Sequence, residues 1–254
     1  MKIIILAAGQ GTRLRPLTDK QPKCMVKFRG NPVIDYIIAA AKKNEINNIV
    51  VVDGYRKDVL EHHLAGQHIK FITNESYENT NMVSTLFCAL PELNDDIIIS
   101  YADIIYTPDI IQKLMEDQCE FSVIVDKDWR KLWAMRMDDP LLDAETMKID
   151  SEGRIYELGK KTQSYDDIQG QYIGLIKVKK SFIKTFIDYY HGLDKTLMYD
   201  GKNFNNMYMT SLIQSIADNI KRPKAVFIEG GWIEIDSVED LNVYESYAAF
   251  TPYI

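Results

Sequence analysis

Two glycines, an arginine and a lysine stand close together near the start of the chain: Gly9, Gly11, Arg13 and Lys23, within LAAGQGTRLRPLTDKQPKCMV from Leu6 to Val26. Ala7, Ala8, Gly9 and Gly11 remove side chains where a backbone must approach a ligand closely. Their N–H groups are then free to face phosphate oxygens. Arg13 and Lys23 supply fixed positive charge, and Pro16 and Pro22 stiffen the return of the loop. Together these features suit a nucleoside triphosphate, held along Leu6, Ala7, Ala8, Gly9, Gly11 and Thr12. The loop is not a Walker A sequence, since no Gly-Lys-Ser/Thr follows. It is not a dinucleotide GxGxxG either, because Leu14 stands at the third glycine position.

A second set of candidate groups is acidic. Asp103 follows the apolar run Ile97 to Ser100, at the end of a strand, where a carboxylate can serve as a Mg²⁺ ligand or simply as a turn residue. Far along the chain, Gly230-Gly231-Trp232-Ile233-Glu234-Ile235-Asp236 carries two acids at alternate positions. An extended Ile233 to Ile235 projects Glu234 and Asp236 from one face. Asp236 equally suits a helix N-cap, with Glu239 three residues on completing a capping box. Asn81 opens a helix and suits its N-cap, and Ser84 lies on that helix's first turn.

The elements that must position these groups alternate between strand and helix. The order runs from the strand Ile3 to Leu6 through a helix with Val33, Ile34, Ile37, Ile38 and Ala41 on one face to the strand Ile49 to Val52. A short helix from Lys57 to Leu64, a strand Ile69 to Ile72, a helix Met82 to Leu90 and a strand Ile97 to Ser100 continue it. This βαβ order predicts an α/β fold with a doubly wound, mostly parallel sheet, and ligands at the carboxyl ends of its strands. After Val125 the texture shifts to shorter strands, Met147 to Ile149 and Ile155 to Leu158, around the turn Asp150 to Gly153. Helices at Ser181 to Tyr190 and Met209 to Asp218, a strand Ala225 to Ile228 and a closing helix Val238 to Tyr247 complete the chain. The expectation is one domain over residues 1–254, with a nucleotide-binding half at 1–125 and an acceptor-binding half at 126–254.

Composition narrows the classes. A chain of 254 residues can bury one substantial core. A net charge of −7 and a pI near 5.2 argue against a nucleic-acid surface, which needs a dense basic face. Cys24, Cys88 and Cys119 are scattered, with no disulfide framework and no zinc spacing, so a reducing cytoplasm is expected. No signal peptide and no membrane span is expected, and assembly as a homodimer is left open. The four histidines show no metal-ligand spacing and no nucleophile partner.

The string GxGTRLxPLTxxxPKxM after an N-terminal strand resembles the signature of the nucleotidyltransferases that activate sugar phosphates and phosphocholine. The resemblance implies a Rossmann-like, GT-A-like fold in which Gly9, Gly11 and Arg13 meet the triphosphate and Lys23 meets phosphate oxygens at the reaction centre. It implies that Asp103, with Glu234 and Asp236, binds Mg²⁺, and that Asn81 and Ser84 lie near the base and sugar. Lys160 aligns with a lysine used near the acceptor phosphate, with Lys161 as its rival, and Tyr172-Ile173-Gly174 resembles a strand bordering the acceptor. No appended hexapeptide-repeat domain is expected.

PKCMV, EIDSVEDL and the stretch Asp126 to Lys161 look more like the phosphocholine cytidylyltransferase branch, which implies CTP as donor. Members of that branch act on phosphocholine, phosphonates or phosphoglutamine in capsule or surface polysaccharide assembly, so the acceptor stays open. An aromatic cage from Tyr101, Trp129, Trp133, Tyr172 and Trp232 would suit a quaternary amine, whereas Arg130, Arg136 and several acids of the same stretch would equally suit an amino acid's carboxylate and amine. The implied reaction is attack by an acceptor phosphate on the α-phosphorus, with release of pyrophosphate. A sugar-1-phosphate nucleotidyltransferase using UTP or dTTP and a non-catalytic nucleotide sensor are the alternatives. A glycosyltransferase is disfavoured because Asp103 is followed by Ile104 and Ile105 rather than completing a DxD triplet.

Overall fold

The computed structural model describes residues 1–245, Tyr247 and Tyr253. Seven strands form the central sheet: β1 Lys2–Leu6, β2 Ile49–Asp53, β3 Lys70–Thr73, β4 Ile97–Tyr101, β5 Phe121–Asp126, β6 Gln171–Val178 and β7 Lys224–Ile228. Their order across the sheet is β7-β5-β6-β4-β1-β2-β3. All neighbours are parallel except β6, which runs antiparallel to both β4 and β5. This is the α/β, mostly parallel, doubly wound architecture that the alternating pattern predicts.

The near-continuous apolar strands follow from burial on both faces. Ile3 and Ile5 of β1 point to one face, with Val51, Ile98 and Ile124 of neighbouring strands. Helices α1 Val33–Lys43, α4 Pro108–Glu116 and α5 Trp129–Arg136 cover that side. Ile4 and Leu6 point to the other, with Val50, Val52, Ile99 and Val123, under α3 Met82–Cys88, α6 Lys180–Gly192 and α7 Met209–Asn219. Two shorter helices, α2 Lys57–His63 and α8 Val238–Glu245, complete the set. The expected closing helix to Tyr247 ends earlier: Glu245 is its last residue, Tyr247 is not helical, and Ser246 lies outside the described residues.

Two ribbons outside the sheet matter for the site. Ile104–Tyr106 pairs antiparallel with Trp232–Glu234, in a register that sets Glu234 opposite Ile104. The backbone N–H of Ile235 then donates to the Asp103 carbonyl at 2.9 Å, so residues far apart in sequence are stitched together at the end of β4. The second ribbon pairs Glu145–Ile149 with Ile155–Lys161, and α7 packs on it. No helix among the described residues is long and apolar enough to cross a membrane.

Candidate active site

The glycine-rich loop leaves β1 at the carboxyl end of the sheet and turns sharply at Gly11, whose φ of +63° favours glycine. A side chain there would also collide with Lys23, since a Cβ would lie 2.9 Å from that residue's own Cβ. The Thr18 hydroxyl donates to the Gly11 carbonyl at 2.8 Å and closes the loop on itself. Lys23 opens a short turn, Lys23–Met25, anchored by buried Cys24 and Met25. Burial pushes the Cys24 thiol up to about 12, so it is an inert part of that anchor.

This loop forms one wall of a cleft of about 280 Å³, bordered by Leu6, Ala7, Ala8, Gly9, Gly11 and Thr12. Arg13, Lys23, Asn81, Asp103 and Asp236 border it too. A second cleft of about 190 Å³ adjoins it and shares Met82, Tyr101 and Asp236 with the first. Asp236 therefore stands at the junction, with Glu234 on the side of the second cleft.

At that junction every acid meets a cation. The Lys23 ammonium donates to Asp103 at 2.7 Å and also contacts Asp236. Arg13 reaches Asp236 at 3.1 Å, and Arg136 reaches Glu234 at 2.7 Å and Asp240 at 2.9 Å. Burial would lower the Lys23 pKa, but Asp103, Asp236 and Glu234 outweigh it and raise it, so the ammonium stays charged. Burial also works against ionised Asp236, yet Lys23, Arg13 and Arg136 hold its pKa below the usual carboxylate range. Glu234 moves the other way, raised by burial and by the neighbouring charge of Asp236 despite Arg136.

The same three carboxylates offer oxygens within 4.8 Å of one another, a spacing that suits one hard cation. Asp103 Oδ1 is buried without a hydrogen-bond partner, as a ligand atom held ready would be. The donor set, all carboxylate oxygen, fits a divalent ion of the Mg²⁺ type rather than a soft metal.

Several expected residues sit differently. Asp236 is not the cap of α8: Ser237 Oγ accepts from the Asp240 N–H at 3.1 Å, and the Asp240 carboxylate accepts from Ser237 and Asp236 N–H groups. The capping box is shifted by one residue, which frees the Asp236 side chain for Lys23 and Arg13. The S-x-x-D spacing of Ser237 and Asp240 was present in the sequence as the competing signal. Asn81 does cap α3, accepting from the Met82 N–H at 2.8 Å. Ser84 borders neither cleft and donates to the Asn205 carbonyl at 2.8 Å.

Lys160 is 56% exposed on its side chain and pairs with Glu157 at 3.1 Å, bordering neither cleft, while Lys161 reaches the carbonyls of Leu142 and Asp143. Lys160→Ala is therefore expected to change kcat/KM by less than about threefold, the scale of a surface ion pair. Steady-state pyrophosphate release measures it, and a hundredfold loss would return Lys160 to the reaction centre.

Tyr101, Trp133, Tyr172 and Trp232 line the second cleft as expected of an aromatic wall, but Trp129 does not, stacking instead on Tyr165. Arg130 borders neither cleft and lies over the Tyr165 ring at 3.8 Å, and Arg136 is spent on Glu234 and Asp240. Sequence reading missed the clamp made by Arg136, and it missed Glu145, which lines the second cleft. Neither carries a motif, because both act through contacts between distant segments.

The family described as the MobA-like NTP transferase domain matches residues 3–154. The chain is 49% identical over 250 residues to the CTP:phosphoglutamine cytidylyltransferase of Campylobacter jejuni, covering 96% of this chain and 98% of that protein. Its fold matches that of the CTP:phosphocholine cytidylyltransferase from Streptococcus pneumoniae, with a TM-score of 0.71 at 22% identity over 97% of this chain and 98% of that one. It also matches the inositol-1-phosphate CTP transferase from T. maritima, with a TM-score of 0.74 at 21% identity over 99% and 98% of the two chains. On the strength of the matched span, and of a relative alike along almost its whole length, this chain belongs to the MobA-like NTP transferase family.

Proposed function

We propose that this protein transfers CMP from CTP to the phosphate of a small non-sugar acceptor, with phosphoglutamine as the first candidate, and releases pyrophosphate. The observation that carries the reading is the meeting of Lys23, Arg13 and three carboxylates where two clefts join. Likeness to a CTP:phosphoglutamine cytidylyltransferase over nearly the whole chain supports the donor and the acceptor class.

In this reading the loop N–H groups of Gly9 and Gly11 cradle the triphosphate in the first cleft, and Asn81 borders its nucleoside end. The acceptor enters the second cleft, so that residues 1–125 chiefly serve the nucleotide and 126–254 chiefly the acceptor. Asp103, Glu234 and Asp236 would hold Mg²⁺, and when bound it would offset negative charge on the α-phosphate. Lys23 leaves its carboxylate partners for an α-phosphate oxygen, and Arg13 grips the departing pyrophosphate. The acceptor's phosphoryl oxygens are already anionic at neutral pH, a phosphate monoester such as phosphocholine having its second pKa near 6. The acceptor supplies its own nucleophile, which accounts for a site built of cations and acids without a general base. The work left to the protein is to suppress repulsion between two polyanions and to align them. The reading further places the reaction in the cytoplasm, with a product destined for surface polysaccharide.

The test is pyrophosphate release from CTP and Mg²⁺ with phosphoglutamine, phosphocholine, aminoethylphosphonate and glucose-1-phosphate, with UTP, dTTP and ATP as donor controls. Turnover confined to CTP and a non-sugar acceptor is expected. Turnover confined to glucose-1-phosphate with UTP or dTTP would assign the chain to sugar activation, and CTP binding without any turnover would make it a sensor.

A further inference from the structure

The second cleft holds a feature that points to the acceptor's own charge. Among its described lining residues are Asp143, Glu145, Glu234 and Asp236, and no lysine or arginine. Three of these acids are committed: Glu234 and Asp236 to the cations of the junction, and Asp143 as acceptor from the Trp133 indole N–H at 2.9 Å. Glu145 is different. Its carboxylate makes no hydrogen bond or ion pair among the described residues.

The position of Glu145 is nevertheless fixed. Gln171 brackets its backbone, donating to the Glu145 carbonyl at 2.6 Å and accepting from its N–H at 3.4 Å. Glycine at 159 lets the facing strand and α7 close around it: a Cβ at Gly159 would lie 2.8 Å from Thr210 Cβ and 3.7 Å from Glu145 Oε2. Lys161, whose charge opposes the shift of Glu145, has its ammonium on the Leu142 and Asp143 carbonyls rather than on the carboxylate. Burial, helped by Asp143 and Asp200, pushes the Glu145 carboxyl up to about 7. Holding an unpaired carboxylate in such surroundings is unfavourable unless a bound group supplies the missing charge.

We propose that Glu145 receives the ammonium group of the acceptor, so that the cleft selects phosphorylated primary amines over sugar phosphates. The assignment rests on the second cleft being the acceptor's. A primary ammonium offers N–H donors to the carboxylate and gains a charge-assisted hydrogen bond. The rings of Tyr101, Trp133 and Trp232 wall the same cleft, and electron-rich faces favour cations. The buried Tyr172 hydroxyl, held protonated by burial and interacting through its oxygen with Tyr101, leaves its own O–H for an oxygen of the same ligand. Phosphoglutamine carries such an amine, whereas glucose-1-phosphate does not.

The experiment compares wild type, Glu145→Gln and Glu145→Asp with CTP and two acceptors: phosphoglutamine and its analogue with hydrogen in place of the α-amine. Glu145→Gln is expected to lower kcat/KM for phosphoglutamine about 30-fold or more, mostly through KM, and to leave the analogue within about twofold, in keeping with loss of one charged hydrogen bond. Glu145→Asp recovers part of the loss. CTP affinity by calorimetry should match wild type and the thermal midpoint should not fall, which separates the effect from misfolding. Equal losses with both acceptors, or wild-type indifference to the amine, would overturn the assignment while leaving CMP transfer intact. Silence of the wild type with every phosphorylated acceptor would instead overturn the transfer reading itself.

Discussion

Lys23→Met is expected to lower kcat/KM for CTP by about 10²- to 10³-fold, which corresponds to removing one preorganised charge worth roughly 3–4 kcal/mol at the transition state. No other cation can take its place. Arg13 approaches from the exposed side, with 69% of its side chain accessible, and Arg136 is bound between Glu234 and Asp240. The turn should survive the change, since Cys24 and Met25 anchor it and methionine keeps most of the lysine's aliphatic length, and bound Mg²⁺ would offset the charge that Asp103 and Asp236 lose. Steady-state pyrophosphate release, with thermal melting as a fold control, makes the measurement. A loss below tenfold with an unchanged melt would remove Lys23 from the reaction.

The second large effect concerns the fold beneath the site. Arg136 is only 4% exposed and stands between Glu234 and Asp240, whose own side chain is 5% exposed. Arg136→Leu would leave two partly or wholly buried carboxylates without their counter-charge, and breaking a buried pair in this way costs about 3–5 kcal/mol. Asp240 also accepts the N–H groups that begin α8, so its displacement would loosen the segment carrying Asp236. Urea unfolding at neutral pH should show the deficit. Without the arginine the Glu234 carboxyl, already raised by burial and by Asp236, is raised further, and stability from such a group is greatest below the unfolded pKa. The deficit against wild type should therefore shrink as pH falls towards the ordinary carboxylate range. A deficit under about 1 kcal/mol, flat with pH, would contradict this account of the clamp.

The parts of the site that were legible in sequence are those written locally. The phosphate loop is a contiguous string after an apolar strand, and residues Leu6 to Lys23 fold into one wall because each glycine and proline acts on its own neighbourhood. Asp103 and Glu234 were legible for a related reason, since each follows a strand signal of its own. What could not be read is how distant segments share partners. Arg136 looked like a free cation in a mixed segment, yet the ribbon of Ile104–Tyr106 with Trp232–Glu234 brings Glu234 within its reach. Lys160 looked like an acceptor ligand by alignment, but the register of its ribbon spends it on Glu157 at the surface. Glu145 carried no signal, because its meaning comes from the pairing with Gln171 and the gap left by Gly159. The fold was easier than the site: two-sided burial of β1, β2 and β4 leaves uninterrupted apolar runs, and these show in any window of the sequence.

The central claim, that an acceptor phosphate displaces pyrophosphate from CTP at the junction of the two clefts, is tested most directly by following one reaction mixture by ³¹P NMR. With enzyme, CTP, Mg²⁺ and phosphoglutamine, the acceptor's phosphate resonance should disappear in step with the appearance of one CDP-linked diphosphate and one pyrophosphate. Pyrophosphate formed together with free CMP, while the acceptor's resonance stays constant, would show hydrolysis rather than transfer and would contradict the account.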